Sequence, residues 1–268
     1  MSAKAGFNIA TALGLFVSCG SIFGGGFLEF NELNPDLGTE FLQLSALLII
    51  FGGTFGCTII SVNMEHLKTL PKVIGIAFQH TYEDPKALID TIVKLAEFAR
   101  REGVLALESK TAELTEKYPF MAAGIRHVID GSSTEVVKAA LNNEIASMEE
   151  RHKVGIDMFN SMGGNSPTMG VIGTVMGLIA ALGKAGESSG DPSAIVGAIA
   201  TAFIATFYGV AAANLVFLPL GAKLKMMTDE EVFIKNVMTE AILAIQNGDN
   251  PRNIAATLSV CFRKDLVE

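Results

Sequence analysis

Small and hydroxyl side chains crowd two uncharged stretches of this sequence. Gly163, Gly164, Ser166, Thr168, Gly170, Gly173, Thr174 and Gly177 stand in the first, and Gly197, Thr201, Thr206, Gly209 and Asn214 in the second. Such residues let helix backbones approach closely where lipid supplies no hydrophobic drive, and Gly173 with Gly177 is a small-xxx-small pair. Ordinary helix packing accounts for the same pattern, and a Thr hydroxyl often bonds back to a carbonyl one turn earlier. Asp, Glu, Lys, Arg and His are missing from both stretches, and Asp157 stands only at the edge of the first, where a solvated helix-end charge is the plain reading. Ionisable residues inside a membrane mark proton relays and ion paths, so an ion crossing here needs a titrating group from another chain. His66, His80, His127 and His152 lie outside these stretches and fit no metal or nucleophile motif, which disfavours an enzyme.

The elements that would position these residues are membrane-crossing helices. Half of the 268 residues are hydrophobic and 18% are charged, a richer apolar and poorer charged content than soluble domains carry. A spanning helix needs roughly 20 mostly apolar residues to cross about 30 Å of hydrocarbon. Four segments without Asp, Glu, Lys or Arg pass that test: 5–28, 41–64, 158–183 and 192–222. The first is too long for the apolar region of a cleaved signal peptide and reads as a retained helix. Cys19, Cys57 and Cys261 have neither the number nor the spacing of a disulfide framework. A net charge of −8 argues against a nucleic-acid partner, which would leave a basic patch.

Charge flanks give the orientation. Glu29, Glu32, Asp36 and Glu40 fill the first connection without a Lys or Arg, whereas Lys68 and Lys72 follow the second span and Lys223 and Lys225 follow the fourth. The positive-inside rule then puts both termini in the cytoplasm. The expected organisation is two spans with a short outer loop (1–64), a helical cytoplasmic domain (65–157), two further spans (158–222) and cytoplasmic C-terminal helices (223–268). Apolar positions from Leu88 to Leu114 recur at helical spacing and predict one amphipathic helix over 85–117; further helices are expected over 134–152 and 230–246. No strand alternation appears, so the fold class is all-α. Pro167 and Pro219 bracket the last two spans, where lost backbone donors suit hinges or helix ends.

Four motifs coincide in order along nearly the whole chain. They are Ala99-Arg100-Arg101-Glu102-Gly103-Val104-Leu105-Ala106-Leu107-Glu108, Gly173-Thr174-Val175-Met176-Gly177-Leu178, Ala205-Thr206-Phe207-Tyr208-Gly209 with Asn214 and Pro219, and Asn247-Gly248-Asp249-Asn250-Pro251-Arg252. Together they resemble the MotA/PomA family of flagellar stator subunits. The resemblance implies an inner-membrane homopentamer around two copies of a MotB/PomB-like partner whose transmembrane Asp takes up the ion. It also implies torque on the rotor protein FliG, in flagellar motility and chemotaxis, and no cofactor beyond the transported Na⁺ or H⁺. The family's ion-path positions carry over to Thr174 and Thr206, its two prolines to Pro167 and Pro219, and its rotor-contacting charges to Arg100, Arg101 and Glu108. On a continuous helix Arg101 and Glu108 would share a face, as would Glu97 and Arg101.

Sodium-driven members are similar in having Thr at both hydroxyl positions, where some proton-driven members have Ala; the resemblance therefore leans to Na⁺. Ser166-Pro167-Thr168 departs from the family's Ala-Pro pattern. The rival reading is an ExbB/TolQ-like energiser of an outer-membrane process, which has three spans where four are read here.

Overall fold

A computed structural model describes residues 6–33, 43–80, 84–186 and 192–262. Among these, regular structure is helical apart from the two-residue segments Gly6–Phe7 and Gln79–His80. Four helices are long and apolar enough to cross a membrane: α1 (Ile9–Leu33), α2 (Leu44–Ser61), α8 (Thr134–Ala185) and α9 (Pro192–Gln246). Asp36 and Glu40 of the expected outer loop lie outside the described residues.

Two compact units emerge. One contains Phe7–Phe78 and Lys153–Lys225; the other contains Gln79–His152 and the chain from Met226 onward. The helices predicted over 134–152 and 230–246 are continuous with the third and fourth spans, within α8 and α9. Charge marks where the apolar environment ends, but backbone hydrogen bonding runs on regardless, because nothing in 152–158 or 222–230 stops a helix.

In the membrane unit, Asn8 fixes the start of α1. Its Oδ1 accepts from the Thr11 amide at 3.1 Å and its own amide donates to the Phe78 carbonyl at 2.7 Å. After α2 come two short helices, α3 (Met64–Leu67) and α4 (Leu70–Ala77). Ala77 on α4 is buried with Phe159, Met162, Phe217, Leu220 and Leu224, and Val73 and Leu15 pack on that cluster. Gly155 gives α4 room, since a Cβ there would stand 3.1 Å from a Val73 methyl. The start of α1, the residues after α2, the entry of the third span and the exit of the fourth thus meet at one end of the bundle.

The second unit begins with α5 (Pro85–Glu102), capped where the Asp84 carboxylate accepts from the Lys86 amide at 3.0 Å. Leu88, Ile92, Leu95 and Ala99 form its buried stripe. The predicted helix over 85–117 is overturned: α5 stops at Glu102, and Gly103 takes φ 86°, a conformation that favours glycine. A 3₁₀ segment (Val104–Lys110), α6 (Thr111–Lys117) and α7 (Pro119–Ile129) follow. Leu88, Ile92, Leu107, Met121, Ile125, Leu141 and Ile242 are fully buried at the centre of the core. After a turn at Gly248 (φ 75°), α10 (Pro251–Cys261) is capped by the Asn250 side chain and buries Ile254 and Leu258.

Candidate functional site

The third and fourth spans meet along a face almost devoid of side chains. A Cβ on Gly209 would stand 2.7 Å from the Ser166 carbonyl oxygen and 3.0 Å from the Gly170 Cα. A Cβ on Gly170 would meet the Ala205 carbonyl oxygen at 3.1 Å, and Cβ atoms on Gly173 and Gly177 would lie 2.7 and 2.8 Å from the Cβ atoms of Ala205 and Ala202. Main chain is therefore in contact with main chain. In hydrocarbon this is how helices gain dispersion contacts without a hydrophobic drive. The Ser166 hydroxyl, at 0% exposure, donates to the Gly209 carbonyl at 3.0 Å and ties the helices at their closest approach.

Two turns along, Thr174 and Thr206 come together. The Thr174 Oγ1 lies 3.1 Å from the Gly170 carbonyl oxygen and 3.0 Å from that of Ala202, and it is in direct contact with the Thr206 Oγ1. A hydroxyl has one proton to donate, so the Thr174 proton serves one carbonyl while the Thr206 proton is available to the Thr174 oxygen. Both residues are half-buried. The product is a cluster of four oxygens, two hydroxyl and two carbonyl, with no group that changes charge. Oxygen donors of this kind suit a hard cation; they cannot take up and release a proton near neutral pH. No cluster of three or more His, Cys, Asp or Glu forms among the described residues.

The prolines differ in setting. Pro167 sits inside α8, half-buried, and its missing N–H leaves the Gly163 carbonyl without its helical donor. Pro219 is exposed and follows a π-helical turn at Ala212–Phe217, so α9 has already departed from α geometry before the proline is reached. Such turns often occur at functional sites. Asn214 within it is exposed and donates to the Val210 carbonyl at 2.9 Å.

Arg100, Arg101 and Glu108 belong to the other unit, and all are exposed. The two arginines occupy the last turn of α5, where cations complement the helix C-terminus. Glu108 lies beyond the Gly103 turn on the 3₁₀ segment. Seven-residue spacing on one helix therefore does not relate Arg101 to Glu108; the turn sets their relationship.

Three features escaped the sequence reading. The Ser166–Gly209 bond is one; serine next to proline gave no sign of its partner 43 residues away. The π turns at Leu48–Gly52 and Ala212–Phe217 have no pattern in residue type. In α2, Thr54 and Thr58 are fully buried; Thr58 donates back to the Thr54 carbonyl at 2.9 Å, and the Thr54 hydroxyl has no hydrogen-bond partner. An apolar cavity of about 200 Å³, lined by Cys19, Phe23, Phe51, Tyr208 and Phe217 among others, offers nothing to hold a polar substrate.

Residues 112–236 match the MotA/TolQ/ExbB proton channel family. Motility protein A of Borreliella burgdorferi is 35% identical over 91% of this chain and 90% of its own length. Chemotaxis protein PomA of Vibrio alginolyticus is 37% identical over 81% of this chain and 83% of its own. Among solved structures, C. jejuni MotAB superposes with a TM-score of 0.86 at 31% identity, covering 96% of this chain and 97% of that one. The flagellar MotAB stator complex from Bacillus subtilis gives 0.85 at 29% identity, covering 95% and 96%.

Proposed function

The chain belongs to the MotA/TolQ/ExbB proton channel family, among its MotA/PomA motility proteins, and from that premise we propose how its geometry works as the channel subunit of a flagellar stator. The chain is a multi-pass membrane protein that couples ion movement to torque. Its own spans supply oxygens and no carboxylate, so the charge-binding step falls to a partner. A MotB/PomB-like chain with a transmembrane Asp supplies that group, and five copies of this chain surround two of the partner. The MotAB titles of the matching structures support the partnership.

Thr174 and Thr206 stand on the ion path. Their four-oxygen cluster carries the reading, because a desolvated Na⁺ needs oxygen ligands and a hydroxyl pair that serves itself can turn towards an ion. H⁺ is the other transported ion this fold serves; its transfer would use the partner's Asp and leave the threonines to packing. Pro167 and Pro219, next to the crossing and next to the π turn, are where α8 and α9 bend as the ion binds and leaves.

The exposed charges of Arg100, Arg101 and Glu108 meet the rotor protein FliG. Exposed ion pairs are weak and salt-screened, which suits a contact that must form and release at each step. The assembly lies in the bacterial inner membrane with both termini cytoplasmic, as the basic flanks Lys68, Lys72, Lys223 and Lys225 favour. One charge crossing 100 mV releases about 2.3 kcal/mol to drive the cycle. No catalytic chemistry is assigned to any residue.

The test is swimming speed of a deletion strain carrying this chain and its partner, over a Na⁺ series at fixed pH and membrane potential. Speed should rise with Na⁺, and Thr174→Ala should abolish that rise. Motility that ignores Na⁺ and stops with a protonophore would make this a proton motor. No rescue of swimming at all would defeat the stator reading.

A further inference from the structure

The two ends of the membrane unit differ in charge. At one end the start of α1, α3 and α4, the entry of the third span and the exit of the fourth gather around Phe159, Phe217 and Leu224. The chain segments that supply this cluster carry Lys68, Lys72, Lys153, Lys223 and Lys225 within the same unit, against the carboxylates of Glu65 and Asp157. The sequence of the opposite connections, 29–40 and 184–191, holds Glu29, Glu32, Asp36, Glu40, Glu187 and Asp191 against Lys184 alone.

Helices α3 and α4 combine this charge with apolar exposure. Lys68, just past the end of α3, and Lys72, in the first turn of α4, are both exposed, and Met64 and Ile74 of the same segment are 66% and 39% exposed. Val73 and Ala77 of the same segment are packed on the bundle, level with the span entry at Gly155–Met162. Apolar groups together with lysines at the level of a span end are the pattern of an element lying in the headgroup layer, its long side chains reaching up to the phosphates.

We propose that this end of the bundle is a binding surface for anionic phospholipid headgroups, with the exposed Lys68, Lys72 and Lys225 as the contacting cations. Charge complementarity carries the choice of occupant: a zwitterionic headgroup offers no net attraction, whereas each lysine near an anionic surface contributes roughly 1 kcal/mol, about fivefold in binding. The inference rests on the membrane placement of the spans and not on ion flow, so the Na⁺ series above leaves it untouched either way.

The experiment places the full chain in lipid discs of equal phosphatidylglycerol and phosphatidylcholine and measures the lipids retained by mass spectrometry. Phosphatidylglycerol should be enriched at least about threefold around the unaltered chain, and roughly 0.5 M NaCl, about three times physiological ionic strength, should reduce the enrichment. A Lys68→Gln, Lys72→Gln, Lys225→Gln triple variant should bring the ratio to about one, the matching Lys→Arg triple should keep it, and Lys184→Gln at the opposite end should change nothing. Equal retention of the two lipids by the unaltered chain would overturn the proposal, as would a Lys184→Gln loss matching that of the triple. Should the Gln triple lose helicity, the salt response decides, and an enrichment indifferent to salt counts against the proposal.

Discussion

Two glycines show how differently the two units of this chain are held together. Gly124 sits in the core of α7, and a Cβ there would meet the end of the Ile242 side chain at 2.5 Å and Leu141 methyls at 3.2 Å. Gly209 sits where the third and fourth spans cross, and its Cβ would meet the Ser166 carbonyl oxygen at 2.7 Å and the Gly170 Cα at 3.0 Å. The first glycine is surrounded by flexible side-chain ends, the second by backbone. In the unit built on large aliphatic residues, removal of apolar surface from water supplies the drive, at about 25 cal/mol per Å². Between the spans that drive is absent, and close main-chain approach with a buried hydroxyl bond takes its place.

The largest effect should come from emptying the aliphatic core. Ile242→Ala removes a fully buried side chain and should cost about 2–5 kcal/mol, read as amide exchange in α5 and α7 faster by about 30-fold or more. Motility that survives this loss would show the membrane crossing to be independently stable.

Next comes Gly209→Ala, with an expected cost of about 1–3 kcal/mol because backbone must move. Cysteine pairs placed across the two spans should crosslink more slowly, and swimming should fail. Gly124→Ala should cost less, since Ile242 can change rotamer; equal costs for the two glycines would break the distinction drawn between them. Ser166→Ala then tests the hydroxyl bond, with an expected loss of about 0.6 kcal/mol, and at most about 1.7, in unfolding from bilayers.

The smallest effect is a pH dependence at the start of α8. Hydrogen bonds from its own amide and from the Ser133 hydroxyl hold the Glu135 carboxyl below the usual carboxylate range. Its folded pKa lies below its unfolded one, so the contribution is present above the unfolded value, about 4.3, and is lost as pH falls through the folded one. Fraying of the first α8 turn, followed by amide exchange at residues 135–137, should increase with acid and lose that dependence in Glu135→Gln.

The four spans were legible because the cost of charge in hydrocarbon leaves a long record in composition, as in 192–222. The small-residue face was legible too, since Gly173 and Gly177 could serve close packing and do so against Ala205 and Ala202. What periodicity hid was the break at Gly103. Apolar residues recur at helical spacing on both sides of it, because Leu95 and Leu107 enter the same core by different routes. The continuity of α8 and α9 was hidden for the opposite reason: the change from apolar to charged residues marks an edge in polarity and not in backbone geometry. The Thr174–Thr206 contact depends on the register between two helices, which no single segment encodes.

The oxygen cluster between Thr174 and Thr206 has a bearing on assembly. A membrane that stores energy as an ion gradient is endangered by any newly inserted protein that conducts. The uncharged stretches 158–183 and 192–222 carry no carboxylate, and the Thr174 hydroxyl bonds neighbouring oxygens, so this path holds no negative charge of its own. Under the partnership proposed above, copies awaiting their partner lack the charge-binding group, and conduction begins when it arrives.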